Sequence, residues 1–197
     1  ILGAPGGALS GTPPNLTYTP LANATGSDVF TFRVNDGHAN SSSVLVSITI
    51  TPVNDAPMAS AQSVTVNEDT LKVVTLTATD IDSSGLAYSV VVAPANGALS
   101  GTPPNLTYTP TANYHGADSF TFKANDGHGD SNVATVSVIV APVNDAPTAT
   151  PQTVTTYSNT PVEITLTGTD VDGDTLAYSL FLDPQRGTIS GTPMPPS

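Results

Sequence analysis

Cysteine and tryptophan are absent, and lysine and arginine together number only four. Without Cys there is no disulfide framework and no thiolate metal site. In a chain read as secreted, that leaves bound metal as the available staple. The shortage of cations argues against nucleic acid, because Lys and Arg neutralising phosphate supply most of that affinity. It argues equally against docking on anionic membrane surfaces. No apolar run approaches the roughly 20 residues that span a bilayer, so membrane insertion is not expected. There is no initiating Met and no basic segment leading into an apolar core, so no signal peptide is visible. The sequence reads as an internal piece of a longer extracellular chain, secreted or held at a cell surface. Helix formers such as Glu, Lys, Gln and Arg are rare, while Thr, Ser, Val, Pro and Gly dominate, which is a strand-and-turn composition.

What charge there is has one sign. Sixteen acids against four cations give a net charge of −12, and all the acids except Glu68 and Glu163 are Asp. A mixed solvated surface would not show that bias. Asp is short, favours turns and offers hard oxygen ligands that suit Ca²⁺.

A tandem repeat organises the chain. Residues 7–20, GALSGTPPNLTYTP, recur unchanged at 97–110. NDGH at Asn35–His38 returns at Asn125–His128, and PVNDAP at Pro52–Pro57 returns at Pro142–Pro147. TATDIDSSGLAYS, from Thr77, returns as TGTDVDGDTLAYS from Thr167. Every offset is 90 residues, and aligning 7–57 with 97–147 leaves 17 mismatches in 51 positions without a gap. A unit of that size can own a core, so the array reads as beads rather than solenoid turns. Cutting after each PVNDAP gives one complete repeat at 58–147. Before it, 1–57 is the C-terminal part of a repeat; after it, 148–197 is the N-terminal part of another. Neither part should fold well alone, because half a sandwich leaves its core face wet.

Within a repeat the apolar period is two. Phe120, Phe122 and Ala124 alternate with polar residues, as do Ala134, Val136, Val138 and Val140; Phe30, Phe32 and Val34 repeat the first set. Val74, Leu76 and Ala78 form another set, and Leu86, Tyr88 and Val90 another. Gly, Pro, Asn and Asp clusters punctuate them at roughly eight to 12 residues, giving about seven strands per repeat. The expected fold class is all-β: tandem Greek-key β-sandwiches with a 90-residue period.

The acids cluster at Glu68–Asp69, at Asp80 and Asp82, at Asp126 and at Asp145. Each group falls at an expected strand end or in a connection, and antiparallel strands gather such ends at two poles. One pole should hold Asp80, Asp82 and Asp126 beside Asn54 and Asp55 of the preceding linker. The other should hold Glu68 and Asp69 beside Asn144 and Asp145, facing Asp170, Asp172 and Asp174. Carboxylates gathered this closely repel, and a divalent cation reverses that sign.

The NDAP linkers, the TATDID stretch 25 residues after the linker Asp, and the NDG after the Phe-x-Phe strand together resemble bacterial cadherin-like repeats. These are Ig-like, VCBS-type repeats of large secreted or surface adhesins, and the likeness spans the whole chain. The resemblance implies Ca²⁺ ligands at Asn54, Asp55, Asp80, Asp82 and Asp126 of the first junction. At the second it implies Glu68, Asn144, Asp145, Asp170 and Asp172. Pro52 and Pro142 stand where animal cadherins carry a linker Asp, and no Asp-Arg-Glu motif occurs, which implies fewer or weaker ions per junction. Tyr157-Ser158-Asn159 replaces Asn67-Glu68-Asp69 in the third repeat, so a junction following it would lack two carboxylates.

Asx-turns offer a metal-free reading of Asn54–Asp55 and Asp126–Gly127. Asp170-x-Asp172-Gly-Asp174 favours metal, since a turn needs one acid; it is not an EF-hand, because Phe181 occupies the position of the bidentate Glu. His38 and His128 repeat in one loop, which suits a structural role. Three His and no Cys make a catalytic zinc site improbable, and no Ser stands in a nucleophile elbow. No enzyme activity is expected. Three functions compete: a Ca²⁺-stiffened spacer of a bacterial surface protein or fibre, a filament subunit completed head to tail, and a carbohydrate-binding module. Partners are then neighbouring repeats, further copies of the chain, or cell-surface glycans or proteins. For glycan binding only Tyr114 and Tyr157 are left as free aromatic platforms.

Overall fold

The computed structural model describes residues 7–182 and 184–191. Alternating side chains, frequent turn residues and few helix formers produce an all-β chain, with 15 strands and no helix among the described residues. The first part holds β1 (Gly7–Thr12), β2 (Asn15–Pro20), β3 (Gly26–Phe32) and β4 (Val44–Ile50). The middle repeat opens with β5 (Met58–Ala59), β6 (Gln62–Asn67), β7 (Lys72–Thr75), β8 (Ala78–Thr79) and β9 (Ala87–Val92). It continues with β10 (Gly97–Thr102), β11 (Asn105–Pro110), β12 (Gly116–Asn125) and β13 (Ala134–Ala141). Among its described residues the last part holds β14 (Thr148–Ala149) and β15 (Gly168–Thr169).

The middle repeat is a Greek-key sandwich. One layer runs β6-β13-β12-β9 and the other β10-β11-β7, with β5 paired to β8 beside them. β5 and β6 form one strand interrupted at Ser60, and β7 and β8 another interrupted at Leu76, so seven strands result. All pairings are antiparallel except β6 with β13. The alternation decides which side chains fill the space between layers. Phe120, Phe122, Ala124, Val136, Val138 and Val140 come from one layer, and Val74, Leu76, Leu106 and Tyr108 from the other, all buried.

A polar lock sits inside this core. The Tyr108 hydroxyl donates to Asp118 Oδ2 at 2.8 Å. Ala95 N and Asn96 N donate to the same carboxylate at 3.0 Å each, and Ser119 N at 2.8 Å. Burial alone would push Asp118 up, but these hydrogen bonds outweigh it and hold the carboxyl below its usual range. Burial and the adjacent carboxylate push Tyr108 up. Gly97 lies flat against the Tyr108 ring: a Cβ there would sit 2.6 Å from two ring carbons and 2.7 Å from Thr109 O. Gly97→Ala should therefore cost about 1–3 kcal/mol by overpacking, read as a lower urea midpoint at unchanged slope.

The outer parts carry the same patterning without the same burial. β1–β2 and β3–β4 pair as hairpins in the registers of β10–β11 and β12–β13. Yet Phe32 is 46% exposed where Phe122 is fully buried, and Val34 is 62% exposed where Ala124 is fully buried. Among the described residues, β1–β2 and β3–β4 pair with no further strand. In the last part Ile164, Leu166, Tyr178 and Leu180 are likewise exposed.

Candidate functional site

Both junctions are built from the same local pieces. Asp80 follows β8, and its Oδ1 accepts from Asp82 N at 2.7 Å and Ser83 N at 2.6 Å. Asp170 follows β15, and its Oδ1 accepts from Asp172 N at 3.0 Å and Asp174 N at 3.2 Å. Asp126 closes the loop after β12, with Oδ1 accepting from His128 N and Gly129 N at 2.7 Å each. Each is an Asx-type turn, so the turn chemistry expected from the sequence is present. It occupies one oxygen per carboxylate and leaves the second for the junction.

At the first junction, Asp55 N donates to Asp82 Oδ2 at 2.6 Å, and Asn54 Nδ2 to Asp126 Oδ2 at 2.9 Å. The loop and linker bonds, from Gly129 and His128 first and then Asn54, hold Asp126 down to about 2. The linker residues Asn54 and Asp55 thus reach Asp126 and Asp82, and Asp80 is tied to Asp82 through the turn. Asp80 Oδ2 is buried there without a hydrogen-bond partner. A cleft lined by Val53, Asn54, Asp82, Ser83, Asp126 and His128 opens at this junction.

The second junction repeats the linker contact, with Asp145 N donating to Asp172 Oδ2 at 2.7 Å. Asn144 Nδ2 turns back to Asp145 O at 2.9 Å. Glu68, at the end of β6, is 2% exposed; its Oε1 accepts from Val143 N at 2.6 Å, and its Oε2 lies 3.8 Å from His115 Nδ1. Asp69 accepts from Asn113 N at 3.0 Å, which ties part of its carboxylate to its own repeat. Asp170, Asp172 and Asp174 offer oxygens all within 4.8 Å of one another. Asp145 Oδ2 is buried without a partner. Burial, then Asp172, Asp69, Glu68 and Asp170, push the Asp145 carboxyl up.

A buried carboxylate oxygen without a donor is costly. One occurs at each junction among further acids, and a hard divalent ion satisfies such an all-oxygen set. Among the described residues, the acids whose oxygens lie close enough together to hold one ion are Asp170, Asp172 and Asp174 of the second junction, and that group fits Ca²⁺. Two features escaped the sequence reading. The depth of Glu68 depends on the linker folding back over it, which no pattern announces. The Tyr108–Asp118 lock does have a signal: the same ten-residue spacing recurs as Tyr18–Asp28, bonded at 2.7 Å. Tyr114 corrects an expectation. It is partly buried against the core and its hydroxyl donates to Ala117 O at 2.6 Å, so it is not a free platform. Tyr157 is 84% exposed.

The fold and the acidic junctions define a tandem array of all-β sandwich repeats. The bacterial Ig domain family matches residues 2–49, 54–139 and 144–194, and the chain belongs to that family. Its tandem repeats suggest an extracellular structural or adhesive role, and its domains are typically non-enzymatic. No curated protein matches the chain. Among solved structures, extracellular domains 3–6 of protocadherin gamma B2 are similar at 20% identity and TM-score 0.48, over 78% of this chain and 43% of that one. A protocadherin gammaB7 cis-dimer structure gives 19% identity and TM-score 0.47, over 84% of this chain and 50% of that one. An endo-fucoidan hydrolase of glycoside hydrolase family 107 gives 25% identity and TM-score 0.37, over 65% of this chain and 20% of that one. The chain thus spans half or less of each. No helix among the described residues is long and apolar enough to cross a membrane.

Proposed function

We propose that the chain is an extracellular spacer segment of a bacterial surface protein or fibre, whose sandwich repeats are stiffened at their junctions by Ca²⁺. The repeat boundaries are placed after Pro57 and Pro147, so that each linker belongs to the junction it forms. The observation that carries this reading is the pair of buried, partnerless oxygens, Asp80 Oδ2 at one junction and Asp145 Oδ2 at the other. Asn54, Asp55, Asp80, Asp82 and Asp126 would hold an ion at the first. Glu68, Asn144, Asp145, Asp170, Asp172 and Asp174 would do so at the second, with Asp69 adding charge at its edge. Ligands drawn from linker and repeat together restrict the hinge, and Pro52, Pro57, Pro142 and Pro147 restrict its backbone further.

Calorimetric titration tests this directly. Ca²⁺ added to the metal-free chain should give saturable heat that Mg²⁺ does not reproduce, since Mg²⁺ demands a tighter octahedron and keeps its waters. Asp80→Asn and Asp145→Asn should each remove one junction's share of that heat. A flat titration, or one both variants leave unchanged, would return these acids to turn chemistry. A second reading, the head-to-tail filament subunit, is favoured by the exposed core face of β3 and β4. Glycan binding loses Tyr114 and keeps Tyr157 alone.

A further inference from the structure

The chain holds three Asp-Gly bonds, at Asp36–Gly37, Asp126–Gly127 and Asp172–Gly173, and one Asn-Gly bond, at Asn96–Gly97. These pairs share a chemistry. The glycine nitrogen can attack Cγ of the residue before it, because no Cβ shields the approach. A carboxyl oxygen of Asp leaves as water, or the amide nitrogen of Asn leaves as ammonia, and a cyclic imide forms. Water then opens the ring at either carbonyl. Opening at Cγ gives Asp. Opening at the former main-chain carbonyl breaks the original peptide link and leaves the backbone running through Cγ, as isoaspartate. The sequence makes the three Asp-Gly bonds equal candidates; the fold separates them.

Two are guarded by the residue in front. Gly37 N donates to Asn35 Oδ1 and Gly127 N to Asn125 Oδ1, at 2.7 Å each, which aims the nucleophile away from Cγ. The carboxylates are drawn the other way. Asp36 Oδ1 accepts from His38 N at 2.9 Å and Ala39 N at 2.7 Å, and Asp126 Oδ1 from His128 N and Gly129 N at 2.7 Å each. The guards are themselves fixed: Asn35 Nδ2 donates to Asn40 Oδ1 at 2.9 Å, and Asn125 Nδ2 to Asp130 Oδ1 at 2.8 Å. Asn96–Gly97 is pinned by other means. Asn96 N donates to Asp118 Oδ2 at 3.0 Å, Asn96 O accepts from Thr111 N at 2.9 Å, and Gly97 lies in β10 against the Tyr108 ring.

Asp172–Gly173 has no such protection. Val171 precedes it, so no side-chain acceptor stands where Asn35 and Asn125 stand. At the first junction the corresponding Ser83 N donates to Asp80 Oδ1 at 2.6 Å. At the second, Asp170 Oδ1 takes Asp174 N instead, at 3.2 Å, and Gly173 N has no acceptor among the described residues. Gly173 has φ 79 and is exposed, and even a Cβ there would meet nothing within 4 Å. Neither ring closure nor the entry of water is obstructed.

We propose that Asp172 is the chain's site of spontaneous isoaspartate formation, and that Asn35 and Asn125 protect the other two Asp-Gly bonds. The change falls on a hinge: it displaces the carboxylate that receives Asp145 N at 2.7 Å, and so frees the second linker from its repeat. Neither clause rests on the Ca²⁺ reading, and chelator keeps ions out of the test.

The 197-residue chain is held in chelator at neutral pH and physiological temperature, folded and in urea. Isoaspartate is located by isoaspartyl methyltransferase labelling and peptide mass spectrometry. In the folded chain it should build up at Asp172 several-fold faster than at Asp36 or Asp126, and in urea the three rates should converge. Asn125→Ala should raise the Asp126 rate several-fold towards its urea value. Asp130→Ala loosens the same loop but keeps the Asn125 acceptor, and should leave that rate near wild type. Gly173→Ser, which installs the first junction's residue, should suppress the product at Asp172, with the middle repeat's melt unchanged. Isoaspartate appearing first at Asp36, Asp126 or Asn96 in the folded chain would overturn the site. A folded ranking that persists in urea would do the same, since sequence and not structure would then set it. Equal acceleration by Asn125→Ala and Asp130→Ala would overturn the guard and assign the protection to loop rigidity.

Discussion

Phe122→Ala should lower the stability of the middle repeat by about 3–5 kcal/mol, while Phe32→Ala, in the same strand context 90 residues earlier, should change it by less than about 0.5 kcal/mol. The local sequences are nearly the same, so the contrast isolates what the opposite sheet contributes. Phe122 is fully buried and its ring meets Tyr88 with centroids 6.4 Å apart. Phe32 has nearly half its surface in water. Truncating the first leaves a cavity that the two sheets cannot close; truncating the second removes a side chain that contributes little in the dispersed chain. Thermal melts at low protein concentration separate them, at about 4–8 °C per kcal/mol for a unit of this size. Equal losses from both variants would mean that residues 7–57 own a core in the single chain.

Asp118→Ala should cost about 2–3 kcal/mol, because it removes at once the acceptor of the buried Tyr108 hydroxyl and of the part-buried Ala95 and Asn96 N–H groups. Tyr108→Phe should cost less, about 1–2 kcal/mol, since the carboxylate keeps its backbone donors. The same group sets an acid limb. Asp118 titrates lower in the folded chain than in the unfolded one. Its contribution is therefore complete above an unfolded value of about 3.9 and is lost as pH falls through the lower folded value. Urea unfolding of wild type should weaken as pH drops below about 4, and Asp118→Asn should flatten that part of the profile. An acid limb unchanged by the substitution would assign it to other carboxylates.

The elements that were legible in the sequence are those whose patterning and partners are both strong. Alternation over Phe120–Ala124 and Ala134–Val140 named the core of one layer residue by residue, because a period of two puts every second side chain on one face. The meeting of Asn54 with Asp126 and of Asp55 with Asp82 followed from topology alone, since each lies just beyond a strand end. What was not legible depends on where partners lie along the chain. β1–β2 and β3–β4 form because their partners are adjacent in sequence. Among the described residues of the last part, the pair that forms is β14–β15, the counterpart of β5–β8, whose two members both belong to a repeat's first half. The counterparts of β6, β7 and β9 stay unpaired there, because their partners come later in a repeat. Periodicity assigns a face; it does not say whether that face is covered.

The most direct test of the Ca²⁺-stiffened junction is a thermal melt of the chain in Ca²⁺, in Mg²⁺ and in chelator, beside Asp145→Ala. An ion bound only by the folded junction adds about 2.7 kcal/mol at 100 times its dissociation constant. The midpoint should be higher in Ca²⁺ alone, with the gain much reduced in Asp145→Ala. Superimposable melts in all three buffers would contradict it and leave a string of sandwiches stiffened only by proline and packing.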